Sequence, residues 1–303
     1  MSDRSSHNKR IAKNTLFLYL RMGLVLVVSL FSTRVVLQAL DIEDYGINNV
    51  VSGFVTMFAF LNTSMSNGVQ RFYNFSLGRK NGYSIKDVYN TALQIQAILA
   101  VTLLVPLETF GMWYIHTQMV IPIDRFAAAQ WVFQFSVLSL VLLVLQIPYS
   151  AAIMAYEKMD YYAYLSIFDV LAKLGIAYII KYTTFDKLIL YGALNMLVSL
   201  ICFFLYYGYA KSHFQDLKSD FIIRKQLFKP MLYFSGWNGF GSFAYMIKSQ
   251  GLNMLLNVFF GPVVNAARGV SNMAMSAIQG FQSNIVIAFR PQLIQSYATG
   301  DNE

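Results

Sequence analysis

Seven basic side chains, Arg21, Arg34, Lys173, Lys181, Lys248, Arg268 and Arg290, fall within or at the ends of long apolar runs, accompanied there only by Asp169 and Glu108. A charge near the centre of a bilayer costs at least about 2.5 kcal/mol, so such residues normally turn toward a bundle interior or an aqueous cavity. The surplus is cationic, and its natural ligand is an anion. Arginine suits phosphate because its planar fork donates two parallel hydrogen bonds, whereas lysine acts as a point charge.

Position separates these residues. At 100° per residue, Arg21 shares a face with Asn14 and Ser32, which predicts a polar line along its helix and a cavity-facing guanidinium; snorkelling toward the inner headgroups is the other reading. Arg34 points about 140° away, beside Gln38, and is expected to anchor the outer end or pair with the acidic stretch DIED at 41–44. Asp169 and Lys173, four apart and on a face with Tyr162 and Ser166, suit an ion pair that neutralises both. The functional version of that pair opens, giving Lys173 to a phosphate or Asp169 to a coupling cation, Na+ or H+. Lys248 shares a broad sector with Asn238 and Tyr245, and Arg268 heads a polar stripe. Arg290, before Pro291, is expected at the inner membrane edge, and Trp113, Tyr114 and Trp131 read as interfacial belt residues.

The elements that must position these groups follow from composition: 56% hydrophobic and only 13% charged residues, with a mean hydropathy of +0.48 over 303 residues. That much apolar surface needs lipid. Apolar runs predict eight transmembrane helices, near 11–40, 46–70, 88–113, 128–155, 161–181, 188–209, 230–260 and 264–290. With the N-terminus inside, fourteen Lys and Arg fall in inner segments, among them Arg10, Arg71, Lys86, Lys158 and Lys211, against Arg125 and Lys187 outside. This positive-inside bias predicts a cytoplasmic N-terminus and accounts for most of the +8 net charge without nucleic acid. The lone Cys202 excludes an intrachain disulfide, and His7, His116 and His213 lie outside the spans, which argues against a histidine metal centre.

A shift of 220 residues lays the second span on the eighth, pairing Asn48 with Arg268, Ser52 with Asn272, Thr56 with Ser276, Thr63 with Ser283 and Gln70 with Arg290. On each helix these residues fall within a sector of about 100° or less. A polar stripe that recurs at the repeat distance predicts two related bundles lining one interior; interhelical hydrogen bonding alone is the other account of the small polar residues. The expected organisation is a six-helix lobe at 1–210, a cytoplasmic amphipathic linker at 211–229, and a second lobe at 230–303 holding its first two helices, with more to follow.

Catalytic signatures, HExxH, GxxxxGK[ST] or a nucleophile elbow, are absent from the sequence, and no enzyme is expected. The segments RIAKNTLFLYLRMGLVLVVSLFSTRVVLQALDIEDYGINNVVSGFV, IPYSAAIMAYEKMDYYAYLSIFDVLAKL and FGPVVNAARGVSN resemble the polysaccharide-biosynthesis and O-antigen flippases of the multidrug/oligosaccharidyl-lipid/polysaccharide (MOP) exporter superfamily. The resemblance implies an all-α, MATE-like membrane bundle in the bacterial inner membrane. It implies flipping of undecaprenyl-diphosphate-linked oligosaccharide for lipopolysaccharide or capsule by alternating access, alongside a glycan polymerase or glycosyltransferases. By position it matches Arg21, Lys173, Lys248 and Arg268 to the family's cavity cations, with Asn14, Asn48, Ser52, Thr56, Asn272 and Ser276 as the polar lining. A cation-coupled drug antiporter, with Asp169 binding the cation, and an integral-membrane glycan enzyme are the alternatives.

Overall fold

The computed structural model describes the backbone of residues 2–78, 83–117, 119, 121–217 and 225–299, and their side chains except at 2–13, 42, 54, 56, 59, 246, 247, 249–274, 276, 277, 281, 296, 298 and 299. The described chain is all-α and holds no strand: α1 (Ser2–Thr56), α2 (Ala59–Leu77), α3 (Ile85–Pro106), a π-helical turn (Leu107–Gly111), α4 (Met112–Thr117), a 3₁₀ turn (Ile123–Arg125), α5 (Phe126–Ala155), α6 (Met159–Tyr182), α7 (Lys187–His213) and α8 (Lys225–Thr299). Only helices or closed barrels satisfy every backbone group within lipid.

Two of these helices are too long to be straight. At 1.5 Å per residue, a straight α1 would hold Arg21 and Val55 about 50 Å apart, yet both line one cavity. The chain reverses at Asp41, whose φ of 64° interrupts the helical dihedrals; aspartate tolerates the left-handed region better than most residues. The contacts of α8 with α2 require a second reversal. Phe243 meets the ring of Phe60 and Phe234 that of Phe72, so this leg runs antiparallel to α2. Arg290 then bonds Asn67, Gln295 approaches Asn74 and Tyr297 meets Phe75, so the later leg runs parallel to it. A straight helix would separate Phe234 from Tyr297 by about 95 Å. The 220-residue offset lays Asp41 on Gly261, a residue type with no steric objection to positive φ.

Five described segments are long and apolar enough to cross a membrane: Asn14–Asp41, Ile85–Thr117, Ile123–Ala155, Met159–Tyr182 and Lys187–His213. The expected second span, 46–70, is not among them. Its helix breaks at Met57 and Phe58, and Asn62, Thr63, Ser64, Ser66, Asn67 and Gln70 dilute its apolar character. Packing replaces hydropathy there, because α2 lies against both α5 and α8. The expected spans seven and eight both fall within α8.

The core has two parts. One joins Val35, Leu40 and Val51 of α1 to Leu107, Ile115, Phe133 and Ile180, and the other joins Met65 and Tyr73 of α2 to Tyr89, Ile153, Phe214 and Leu227. Close approach of α5 and α7 depends on Gly192, where an added Cβ would sit 3.2 Å from Phe135 and 3.3 Å from Val132. At the acidic-loop end Arg125 ties α1 to α7: its Nε donates to Asp44 at 2.8 Å and its Nη1 to Asp186 at 2.8 Å. Asp186 also caps α7 by accepting from the Leu188 and Ile189 amides. The expected partner of the acidic stretch, Arg34, is exposed, and Arg125 takes that role. At the basic-loop end Tyr156 stacks on Phe214 with centroids 4.1 Å apart. Burial first, then the Asp216 carboxylate, pushes its phenol up to about 12.

Gly68 lets α8 approach α2, since a Cβ there would overlap the Ser235 hydroxyl, whereas Gly53 has open space. Gly68→Val is expected to cost about 1–3 kcal/mol and to lower the thermal unfolding midpoint of the detergent-solubilised protein, while Gly53→Ala leaves it unchanged or higher.

Candidate functional site: a cationic cavity among four helices

A cavity of about 600 Å³ opens among α1, α5, α6 and α7. Because α1 doubles back at Asp41, it contributes from both legs, Arg21 and Val25 from the first and Asn48, Ser52 and Val55 from the second. Helix α6 adds Ser166, Asp169 and Lys173, each separated from the next by one helical turn.

Arg21 is held rather than free to sweep. Its guanidinium carbon lies 4.9 Å from the Tyr162 ring centroid, within cation–π range, and Nη1 donates to Ser166 Oγ at 3.3 Å. Ser166 in turn donates to the Tyr162 carbonyl at 3.0 Å. The Arg21 Nε is buried and has no hydrogen-bond partner in the structure. A buried donor without a partner costs about 1–3 kcal/mol. One and two turns on from Ser166, Asp169 and Lys173 pair, Nζ to Oδ2 at 2.8 Å, with the lysine and aspartate side chains 44% and 32% exposed. The walls thus carry two cations against one carboxylate.

The opposite walls supply acceptors. Ser136 and Ser139 of α5 donate to the carbonyls of Val132 and Phe135, both at 2.8 Å. On α7, Asn195 donates to Tyr191 O at 2.8 Å and Ser199 to Asn195 O at 3.1 Å. Such i to i−4 bonds consume the donor and leave oxygen lone pairs available.

The structure brings together Arg21, Asn48, Ser52, Asp169 and Lys173 in this one cavity, and the i,i+4 pair forms as the spacing predicts. Asn14 does not line it: it is buried at 5% exposure, and seven residues of helix place it about 10 Å beyond Arg21. Lys248 is exposed and sits on α8, which packs on α2 and none of whose described residues lines this cavity. The side chains of Thr56, Arg268, Asn272 and Ser276 lie outside the described residues. Arg290 does more than mark a membrane edge, since it bonds Asn67 of α2. Glu108, on the π-helical turn, accepts from Gln134 at 2.9 Å. The α5 and α7 walls were not anticipated, although Asn195, Ser199, Cys202 and Tyr206 recur at helical spacing and lie along one face.

No family model and no curated protein matches the chain. Solved structures do. A multidrug resistance MATE family transporter of the MOP superfamily, in an outward-facing conformation, superposes with a TM-score of 0.76 at 13% identity, covering 97% of this chain and 65% of that one. MATE in its straight conformation gives 0.72 at 12% identity, with 97% and 66% covered. A MOP superfamily transporter from Pyrococcus furiosus, for which reversed polarity of the binding pocket suggests a different function, gives 0.70 at 12% identity, with 95% and 65% covered. The chain therefore has the MATE-type fold and spans about two thirds of the length of these structures.

A double-mutant cycle at the ion pair tests the site's geometry. Asp169→Asn and Lys173→Gln, alone and together, are expected to show a coupling of about 0.5–1 kcal/mol in thermal unfolding, because each single change leaves the other charge facing the cavity without its partner.

Proposed function

We propose that this chain belongs to a transporter that flips undecaprenyl-diphosphate-linked oligosaccharide across the bacterial inner membrane by alternating access. The observation that carries the reading is the cavity's charge, two cations against one carboxylate among the described lining residues. A diphosphate matches that charge. Arg21, fixed by Tyr162 and Ser166, presents its fork to one phosphate, and Lys173 turns from Asp169 to the other. The serine and asparagine oxygens of α5 and α7 accept from sugar hydroxyls. A cavity of about 600 Å³ is of the size that encloses a drug-sized group, which suits the charged head and adjoining sugar rather than the entire substrate. No bond is made or broken in this cycle, so the chain is not an enzyme.

The same reading makes the first 210 residues one lobe and the segment from 230 the start of another, joined by the basic linker, with the N-terminus cytoplasmic. Lys248, Arg268, Asn272 and Ser276 would serve the path between the lobes rather than the cavity of the first. Glycosyltransferases or a polymerase of the same glycan pathway would supply and consume the lipid-linked saccharide. An Na+ or H+ gradient could drive it through Asp169 when Lys173 leaves.

A cation-coupled small-molecule antiporter is the second reading, favoured by the presence of Asp169 in the cavity. Lys173 already occupies that carboxylate, which weakens it as a free cation site. Efflux of a cationic dye that is abolished by Asp169→Asn would put this reading first.

In cells that depend on the intact protein for surface glycan, Arg21→Gln is expected to lower export at least about tenfold, the scale of one lost charge-assisted hydrogen bond. Arg21→Lys is expected to retain part of it. Undiminished export with Arg21→Gln would sink the proposal.

A further inference from the structure

Gln96 of α3 is fully buried, at 0% exposure, and neither its amide nitrogen nor its amide oxygen has a hydrogen-bond partner in the structure. A primary amide carries two N–H donors and an acceptor oxygen, and leaving them unmet away from water costs the full desolvation of the group. Gln96 is not among the residues that line the cavity, so its amide belongs to a second polar site.

Position supplies the other half of that site. Helices α3 and α5 run antiparallel, since Tyr89 meets the ring of Tyr149 near one end and Glu108 accepts from Gln134 near the other. Interpolation between these two contacts sets Gln96 opposite Val144, which is 1% exposed. Four residues beyond Val144, inside the same helix, stands Pro148. Proline has no N–H, so the Val144 carbonyl lacks the i+4 donor that the interior of a helix normally gives. An unmet side-chain amide and a backbone carbonyl without its helical donor thus stand at one level of the α3–α5 seam.

The core divides at the same level. Its two apolar parts change over between Ile95 and Ala100 on α3, between Val144 and Ile147 on α5, and between Cys202 and Tyr206 on α7. Gln146, Cys202 and Tyr206 put part of the cavity at this depth too. A polar layer therefore crosses the bundle, with the cavity on the α7 side of α5 and Gln96 on its α3 side.

We propose that the Gln96 amide and the Val144 carbonyl bind structural water in a joint behind the cavity wall. The group between them must accept from an amide N–H and donate to carbonyl oxygens, which neither a metal cation nor a simple anion does and water does. Water is also an ordinary substitute for the bond that proline removes within a membrane helix. Bound there, it ties α5 to α3 at the level of Leu143 and Gln146 and supports the wall from behind. The site stands whether or not the chain transports a saccharide.

The test compares thermal unfolding midpoints of the detergent-solubilised full chain. Gln96→Met keeps the length of the side chain and removes its amide. A dry, unmet amide is relieved by that change, which raises the midpoint; a water-bonded one loses its bridge, and the midpoint is expected to fall by about 2–4 °C. Pro148→Ala returns an N–H to the Val144 carbonyl, so Gln96→Met made in that background is expected to cost markedly less, because both changes act on one water site. A midpoint that rises or stays with Gln96→Met, or an equal fall in both backgrounds, overturns the proposal. X-ray hydroxyl-radical footprinting of the unmodified chain needs no variant to fold, because radiolysis of a bound water oxidises its neighbours in place. Val144 is expected to be oxidised faster than Val137, the same residue type on the same helix at the same 1% exposure; equal protection of the two also overturns the proposal.

Discussion

A charge carried into a bilayer must be held by protein or water, and that constraint arranges this molecule. The first leg of α1 is covered over only a small share of its apolar window, with Leu16, Leu20, Val27 and Leu30 exposed. Its arginine could not share that environment at any tolerable cost. The solution is a strip of α1 turned inward on Tyr162 and Ser166, which obliges α6 to lie beside it. The reversal at Asp41 then brings the polar face of the second leg to the same interior. Once Arg21 is placed, the cavity walls follow.

The two ends of the bundle are closed by different chemistry. At the acidic-loop end a single arginine joins two carboxylates from α1 and from the start of α7, and charge-assisted bonds of this kind are the stronger sort. Without Arg125 the carboxylates of Asp44 and Asp186 would lose the cation they share. At the basic-loop end, α8 meets α2 and the α5–α6 turn through amide and guanidinium donors. There the close approach at Gly68 and ring contacts such as Phe72 with Phe234 also pack α8 against α2.

Much of this was legible in the sequence because lipid makes patterns simple. Length and hydropathy located α1, α3, α5, α6 and α7, and helical phase placed Arg21, Ser166, Asp169 and Lys173 on faces that do meet. Phase carries no depth, which is why Asn14 was grouped with a cavity it does not reach. Hydropathy is weakest at α2, where Ser64, Gln70 and Asn74 are buried in a helix that packs on α5 and α8. The α5 and α7 serines were overlooked because a hydroxyl bonded to its own helix looks, in sequence, like any membrane serine. Partners distant in sequence, Arg125 with Asp44 or Gln292 with Glu157, leave no local periodicity to read.

Those overlooked serines sharpen what the cavity can recognise. With Ser136, Ser139 and Ser199 committed as donors to backbone carbonyls, their oxygens repel rather than welcome phosphate oxygens. The charged donors that face an anion are Arg21 and Lys173, and both stand on the α1–α6 side. Charge therefore draws an anion most strongly to the α1–α6 side, while the α5–α7 side offers neutral polar groups, among them Gln146, Tyr191 and Tyr206. A simple inorganic anion would use only half of these walls. A ligand that bridged the two sides would meet charged donors on one and neutral oxygen acceptors on the other.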